Sequence, residues 1–363
     1  MRAATSFATA LALLAVACGS SSRPEDAAPP TRYSASHGKT PDGSVDLLVL
    51  EDSAAQTIAT VAPSKGGELS SLRLKIGDHW IETLYRAEDY STQEGWTGKA
   101  PLLWPATGRN FPPGFKPETK PDGSIERGRY DLDGKRYEMP GHGFVRDMPW
   151  KVEQLGVRDG AYAALSLEDT EQTRALYPFG FRLDVAYTLH DGDLEIAYTV
   201  AAKPDNARPM PFSIGNHITF NTPLIPGSDL SQVRFSTPSE RELVKENGLP
   251  TGAGTPRSHA DGVPLADFEK LAAISLTGYE SDPWMELSDP QGLTIRLTHH
   301  ADRWPEQPFI QFNVWGDAPS GYFSPEPWVG LQQSFVLDQG MTRLQPGESW
   351  HWKIRIDVER TAP

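Results

Sequence analysis

The chain has 363 residues, a net charge of −14 and a pI near 5.1, which is length enough for one large domain or two small ones. Lys and Arg form no run anywhere, so neither the total charge nor a local patch suits nucleic acid, whose phosphates need a basic footprint. The hydrophobic content of 38% permits a sizeable core, and a single cysteine excludes an internal disulfide, so stability must come from packing.

In chain order, residues 1–17 read as a targeting segment. Arg2 gives a short positive start, and the Ala/Leu-rich run from Ala8 to Ala17 is too short to span a bilayer. The run ends in Leu14-Ala-Val-Ala-Cys18-Gly-Ser-Ser-Ser, small residues before a cysteine followed by a Ser-rich stretch. This resembles a bacterial lipoprotein signal, departing from it at Ala15, where Leu is commoner. The expectation is a mature chain beginning at Cys18, exported and lipid-anchored to the bacterial cell envelope, with no other membrane contact. Residues 18–44, rich in Ser, Pro, Ala and Asp without apolar period, read as a flexible tether.

From Val45 onward a period of two dominates. Leu72-Arg-Leu-Lys-Ile76 alternates, and so do Phe181 to Leu189 and Asp193 to Val200 on either side of His190-Asp191-Gly192. Two alternating runs around Asp-Gly predict a hairpin. Tyr130-Asp-Leu-Asp133-Gly134-Lys-Arg-Tyr repeats the device, and Ser288-Asp-Pro-Gln-Gly292 precedes another run, Leu293 to Leu297. At the end of the chain Trp350, Trp352, Ile354, Ile356 and Val358 share one face of a half-buried strand. A short helix is expected from Leu265 to Leu271, with Phe268 at helical spacing. With 32 Gly and 32 Pro as punctuation and no clear linker over residues 45–360, the pattern predicts a single all-β domain, a large antiparallel β-sandwich.

Chemistry falls to histidines and carboxylates, because the chain carries no Gly-rich phosphate cradle, no Cys/His zinc spacing and no Gly-x-Ser-x-Gly elbow. Glu326 lies in Gly321-Tyr-Phe-Ser-Pro-Glu-Pro-Trp-Val-Gly330. Two prolines stiffen its backbone, and Tyr322, Phe323 and Trp328 surround it, so it is a candidate base as well as a candidate turn residue. His142 stands between two glycines in Met139-Pro-Gly-His142-Gly-Phe-Val-Arg146, where a ligand has room to approach. His217 comes late in the apolar Pro211-Phe-Ser-Ile-Gly-Asn-His217, with Asn216 and Asn221 as polar company. Either histidine alone also fits a structural, hydrogen-bonded role. Arg109, after Gly108, is a fork-shaped donor for hydroxyl or carboxylate oxygens, or half of a structural ion pair. His299 and His300 read as a surface strand end, and His37 falls in the tether.

Taken in order, Gly66-Gly-Glu-Leu-Ser-Ser-Leu, Trp104-Pro-x-x-Gly-Arg109, Pro140-Gly-His142-Gly-Phe-x-Arg, Pro211-Phe-Ser-x-Gly-x-His217-x-x-Phe-Asn and Pro325-Glu326-Pro-Trp-x-Gly resemble the aldose 1-epimerase (galactose mutarotase) family across residues 45–360. The resemblance implies a galactose mutarotase-like supersandwich that interconverts the α and β anomers of a free aldose, a monosaccharide, without cofactor or metal. It makes Glu326 the general base and His217 the general acid, with His142 and Arg109 binding substrate. The family's hydroxyl-binding aspartate has only a poor counterpart, Asp282 in Gly278-Tyr-Glu-Ser-Asp-Pro-Trp.

Rival readings are a non-catalytic carbohydrate-binding lipoprotein of the same fold, a glycoside hydrolase, which normally needs two carboxylates, and a zinc site formed by His142, His217 and Glu326. A sugar phosphate as substrate would require a basic cluster at the pocket mouth.

Overall fold

Asp191 and Gly192 show how local sequence builds this fold. Both have positive φ, 52° and 87°, and between them they turn the strand Phe181–His190 back as Asp193–Ala202 in unbroken antiparallel register. That backbone matches the right-handed twist of the strands it joins, and Asp-Gly adopts it at low cost. Asp133 and Gly134, with φ of 51° and 73°, do the same for Gly128–Leu132 and Lys135–Met139.

The structure is a computed structural model that describes residues 31–85, 98–121, 125–246, 249–268 and 273–361. The targeting segment and Cys18 lie outside the described residues. From Arg32 onward the chain forms one compact unit.

Three antiparallel sheets make up the body. The nine-stranded sheet runs, edge to edge, His259–Pro264, Arg234–Thr237, Trp284–Asp289, Leu293–Ala301, Ser349–Arg360, Asp193–Ala202, Phe181–His190, Ala161–Glu168 and Lys151–Val157. The second sheet runs Leu249–Pro256, Arg241–Glu246, Ile274–Thr277, Ile310–Asp317, Tyr322–Gly330, Ile214–Asn216 and Leu102–Leu103, with Phe220–Asn221 pairing alongside Tyr322–Gly330. The third is a meander of five consecutive strands, from Tyr33–Lys39 to His79–Glu82.

The first two sheets face each other across the core. Trp350, Trp352, Ile354 and Ile356 are buried at every second position, as the alternation predicts. Opposite them lie Phe312 and Phe323: His299 meets Phe312 with ring centroids 4.8 Å apart, and Phe235 meets Phe323 at 5.2 Å. Burying each ring contributes roughly 1.5–3 kcal/mol. Because side chains alternate along a strand, the neighbours Asn313, Ser324 and Glu326 must point to the other face of their sheet. The candidate site lies on that face.

Three expectations need correction. The stretch taken as a tether already contains a strand, Tyr33–Lys39, paired along its length with Asp46–Asp52 and pinned by Arg32, whose guanidinium donates two bonds of 3.1 Å to buried Asp52. It escaped the period-two reading because an edge strand is only half-buried and tolerates polar residues on both faces. The expected helix from Leu265 is a 3₁₀ turn over Leu265–Asp267, and residues 269–272 lie outside the described residues. His299 is a core residue rather than a surface one, with Trp352 Nε1–H donating to its Nδ1 at 3.1 Å.

Candidate active site

Strand register assembles the centre of the site. Ser275 pairs with Asn313, and Asn313 pairs with Glu326. On the far side of Glu326, Gly215 pairs with Trp328, and continuing that antiparallel register brings His217 opposite Glu326. The backbone N–H of His217 donates to Pro101 O at 2.9 Å, which holds the histidine in line just past its strand. The result is a row of polar side chains across four strands, in the order Ser275, Asn313, Glu326, His217.

Every member of the row is buried, at 0%, 3%, 1% and 7% exposure in that order. Buried polar groups need partners, and Glu326 has two: Asn313 Nδ2 donates to Oε1 at 3.0 Å and Trp328 Nε1 to Oε2 at 3.1 Å. His217 Nε2 stands 3.7 Å from Glu326 Oε1. Trp315 meets the His217 ring edge-on at 5.6 Å.

His142 reaches the same place from a turn. Its φ is +65°, a conformation few non-glycine residues adopt. Two bonds to Gly108 enforce it: His142 N–H donates to Gly108 O at 2.7 Å, and Gly108 N–H donates to His142 Nδ1 at 3.1 Å. With Nδ1 accepting, a neutral ring carries its proton on Nε2. The ring lies 5.8 Å from that of His217 and 6.1 Å from Trp328, both edge-on. Gly143 serves a purpose other than ligand access: a Cβ there would fall 1.9 Å from Trp104 O, so glycine lets this turn lie directly against the Trp104 backbone.

Burial dominates the electrostatics. It pushes the Glu326 carboxyl up to about 8, against the pull of the Asn313 and Trp328 donors and the Lys245 charge. It pushes His217 down to about 4, helped by the Arg146 charge and opposed by a backbone hydrogen bond. His142 is held well below its ordinary value by burial, then by Arg146, His217 and Arg109. All three shifts run toward the uncharged forms, a neutral carboxyl beside neutral imidazoles. In the free protein burial therefore works against the ionised Glu326 and protonated His217 that the acid and base roles require, because charge is costly where water is excluded. At 3.7 Å, with both partners neutral, this contact is not an ion pair.

Arg109 is exposed beside the turn, its Cγ 3.5 Å from where a Cβ of Gly141 would stand. Arg146 approaches Gly141 too, Nη2 donating to its carbonyl at 3.4 Å. Asp282 is not brought to this site. His300 Nδ1 lies 2.8 Å from its carboxylate on an exposed surface. The cause is alternation along Leu293–Ala301: His299 points into the core, so His300 and the acid bonded to it point away from it. Among the described residues no three His, Cys, Asp or Glu side chains are grouped to hold a metal ion.

Residues 49–357 match the family model described as aldose 1-epimerase. The chain belongs to the aldose 1-epimerase family. Among curated relatives, the plasmid-encoded protein LacX of Lactococcus lactis subsp. lactis is 30% identical over 288 residues, covering 76% of this chain and 85% of LacX, and the chromosomal LacX is 25% identical over the same span. Among solved structures, a galactose mutarotase-like protein from Clostridium acetobutylicum superposes with a TM-score of 0.68 at 17% identity, covering 90% of this chain and 98% of that one. A galactose mutarotase-like protein from Lactobacillus casei gives 0.66 at 22%, covering 86% and 100%. At these identities the structures speak to the fold, and the fold is the expected galactose mutarotase-like sandwich. Membership makes the protein epimerase-like in general, with a sugar as substrate.

Sequence reading missed several members of this aldose 1-epimerase site. Asn313 sits in Ile310-Gln-Phe-Asn-Val-Trp315, where polar residues at every second position of an otherwise apolar strand were the available signal. Lys245 carried no local signal. It follows Leu243 at the spacing that returns to one face of a strand, and its Nζ donates to Ala273 O. Burial lowers its pKa to about 8.

Proposed function

We propose that the protein is an aldose 1-epimerase that interconverts the α and β anomers of a free aldose by acid–base ring opening. The observation that carries this reading is the meeting of Glu326 and His217 at 3.7 Å in a buried setting, with the His142 ring 5.8 Å from that of His217. Ionised Glu326 takes the proton of the anomeric hydroxyl while protonated His217 gives one to the ring oxygen. The C1–O5 bond breaks, C1 becomes an aldehyde carbon, and rotation about C1–C2 turns its other face to the ring hydroxyl. Reclosure returns both protons. His142 donates through Nε2–H to a substrate oxygen, and Arg109 holds a hydroxyl at the rim. Each proton transfer is worth about 10²–10⁴ in rate.

Glu326 and His217 share one proton between pH about 4 and about 8. In the free protein it rests on Glu326; the reacting arrangement has it on His217. Sugar hydroxyls donating to the carboxylate favour that transfer.

Polarimetry on freshly dissolved free sugars tests the reading. Exchange accelerated for at least one aldose, and slowed about 10²-fold or more in folded Glu326→Gln and His217→Asn, supports it. Sugar binding without accelerated exchange would leave a binding protein of this fold.

We further propose that the protein is exported and held at the cell envelope by lipid on Cys18. Cell fractionation checks this: Cys18→Ser should move the protein from the membrane to the soluble fraction, and an unchanged distribution would count against the anchor.

A further inference from the structure

Glu326 is buried and must still ionise to act, so whatever favours its charged form controls the reaction. Its two hydrogen-bond partners are both donors. Trp328 Nε1 can only donate. Asn313 could present either end of its amide; here its Oδ1 accepts from Ser275 Oγ at 3.2 Å and its Nδ2 donates to Glu326 Oε1 at 3.0 Å, the one arrangement that serves an ionised Glu326, which can only accept. The strand pairing of Ser275 with Asn313 and of Asn313 with Glu326 fixes this chain in space.

We propose that Asn313, held by its hydrogen bond to Ser275, is a positioning residue that sets the protonation of Glu326 and aims its Oε1 at His217. The inference rests on the acid–base reading of the site given above. A donor facing a carboxylate favours the anion and disfavours the neutral acid. Removing it raises the cost of ionisation and makes the reacting arrangement rarer. The other charged or titratable groups facing Glu326 are His217 at the end of Ile214–Asn216 and Lys245 on Arg241–Glu246. Beyond His217 stand His142 on its turn and the Arg109 and Arg146 charges that act on it. Among the described residues only Asn313 and Trp328 hydrogen-bond the carboxylate directly.

The test is a carbon-13 NMR titration of the Glu326 carboxyl, assigned by its loss in Glu326→Gln, in the wild type and in Asn313→Ala and Asn313→Leu. The leucine keeps about the size of asparagine without a donor or a charge and guards against a folding failure; circular dichroism confirms the fold of each. The midpoint should rise by about one pH unit or more in both variants, and plateau exchange should fall about tenfold per unit. A midpoint unmoved in a folded variant overturns the proposal, even if exchange is slowed. A midpoint that moves as expected in a protein that exchanges no aldose leaves this inference standing and removes the acid–base reading instead.

Discussion

His217 Nε2 and Glu326 Oε1 face each other across 3.7 Å, too far for a direct hydrogen bond and close enough for both to reach one sugar ring. Their pKa values, about 4 and about 8, leave one proton between them over the intervening range. Exchange needs that single proton, so kcat/KM should be bell-shaped, falling below pH about 4 as the pair gains a second proton and above about 8 as it loses the first. These are values of the pair rather than of one residue. A rate that kept rising above pH 9 would show that His217 is not required in its charged form.

Glu326→Gln should abolish catalysis and gain stability relative to the wild type as pH rises. The folded pKa of Glu326 lies above its unfolded value, so its contribution to stability is fully present below pH about 4.5 and is lost as pH rises toward about 8. Glutamine does not titrate. Its stability in urea denaturation, relative to the wild type, should therefore rise by roughly 3 kcal/mol from pH 4 to pH 7, from a low-pH level set by how its NH2 meets the two donors. An advantage that did not grow with pH would mean that the carboxyl is solvated.

Gly143→Ala should be costly in two ways. The residue has φ of +76°, and its Cβ would fall 1.9 Å from Trp104 O, so backbone must move. A loss of at least about 2 kcal/mol is expected. Because His142 is the preceding residue, KM should rise in whatever protein still folds. Denaturation and steady-state polarimetry measure the two effects separately.

Asp282 and Arg109 should part company. Asp282→Asn removes an exposed partner of His300, and exposed pairs contribute about 0–1 kcal/mol; KM and kcat should stay at wild-type levels. Arg109→Gln should raise KM, because Arg109 stands beside the turn that carries His142. A severalfold rise of KM in Asp282→Asn would return that residue to the sugar.

The strands and turns were legible because their signals are local. Alternation from Trp350 to Val358 and the Asp-Gly turn at 191–192 need no knowledge of the rest of the chain. The same logic failed at Tyr33–Lys39, which is a strand because Asp46–Asp52 pairs with it and Arg32 binds Asp52. Glu326, His217, His142 and Arg109 stood out from their own neighbours in sequence, and their family context implied a common site. Asn313, Ser275 and Lys245 did not stand out, since their importance comes from cross-strand register.

By itself, then, the sequence determined a β-sandwich of alternating strands, the family to which it belongs, and which acid and which imidazoles to examine. Tertiary structure alone decided that Glu326 and His217 share a row, that Asp282 turns away from it, and that burial works against the charged form of both partners. Alternation and turn chemistry act over a few residues, whereas register and the exclusion of water are properties of the packed sheets.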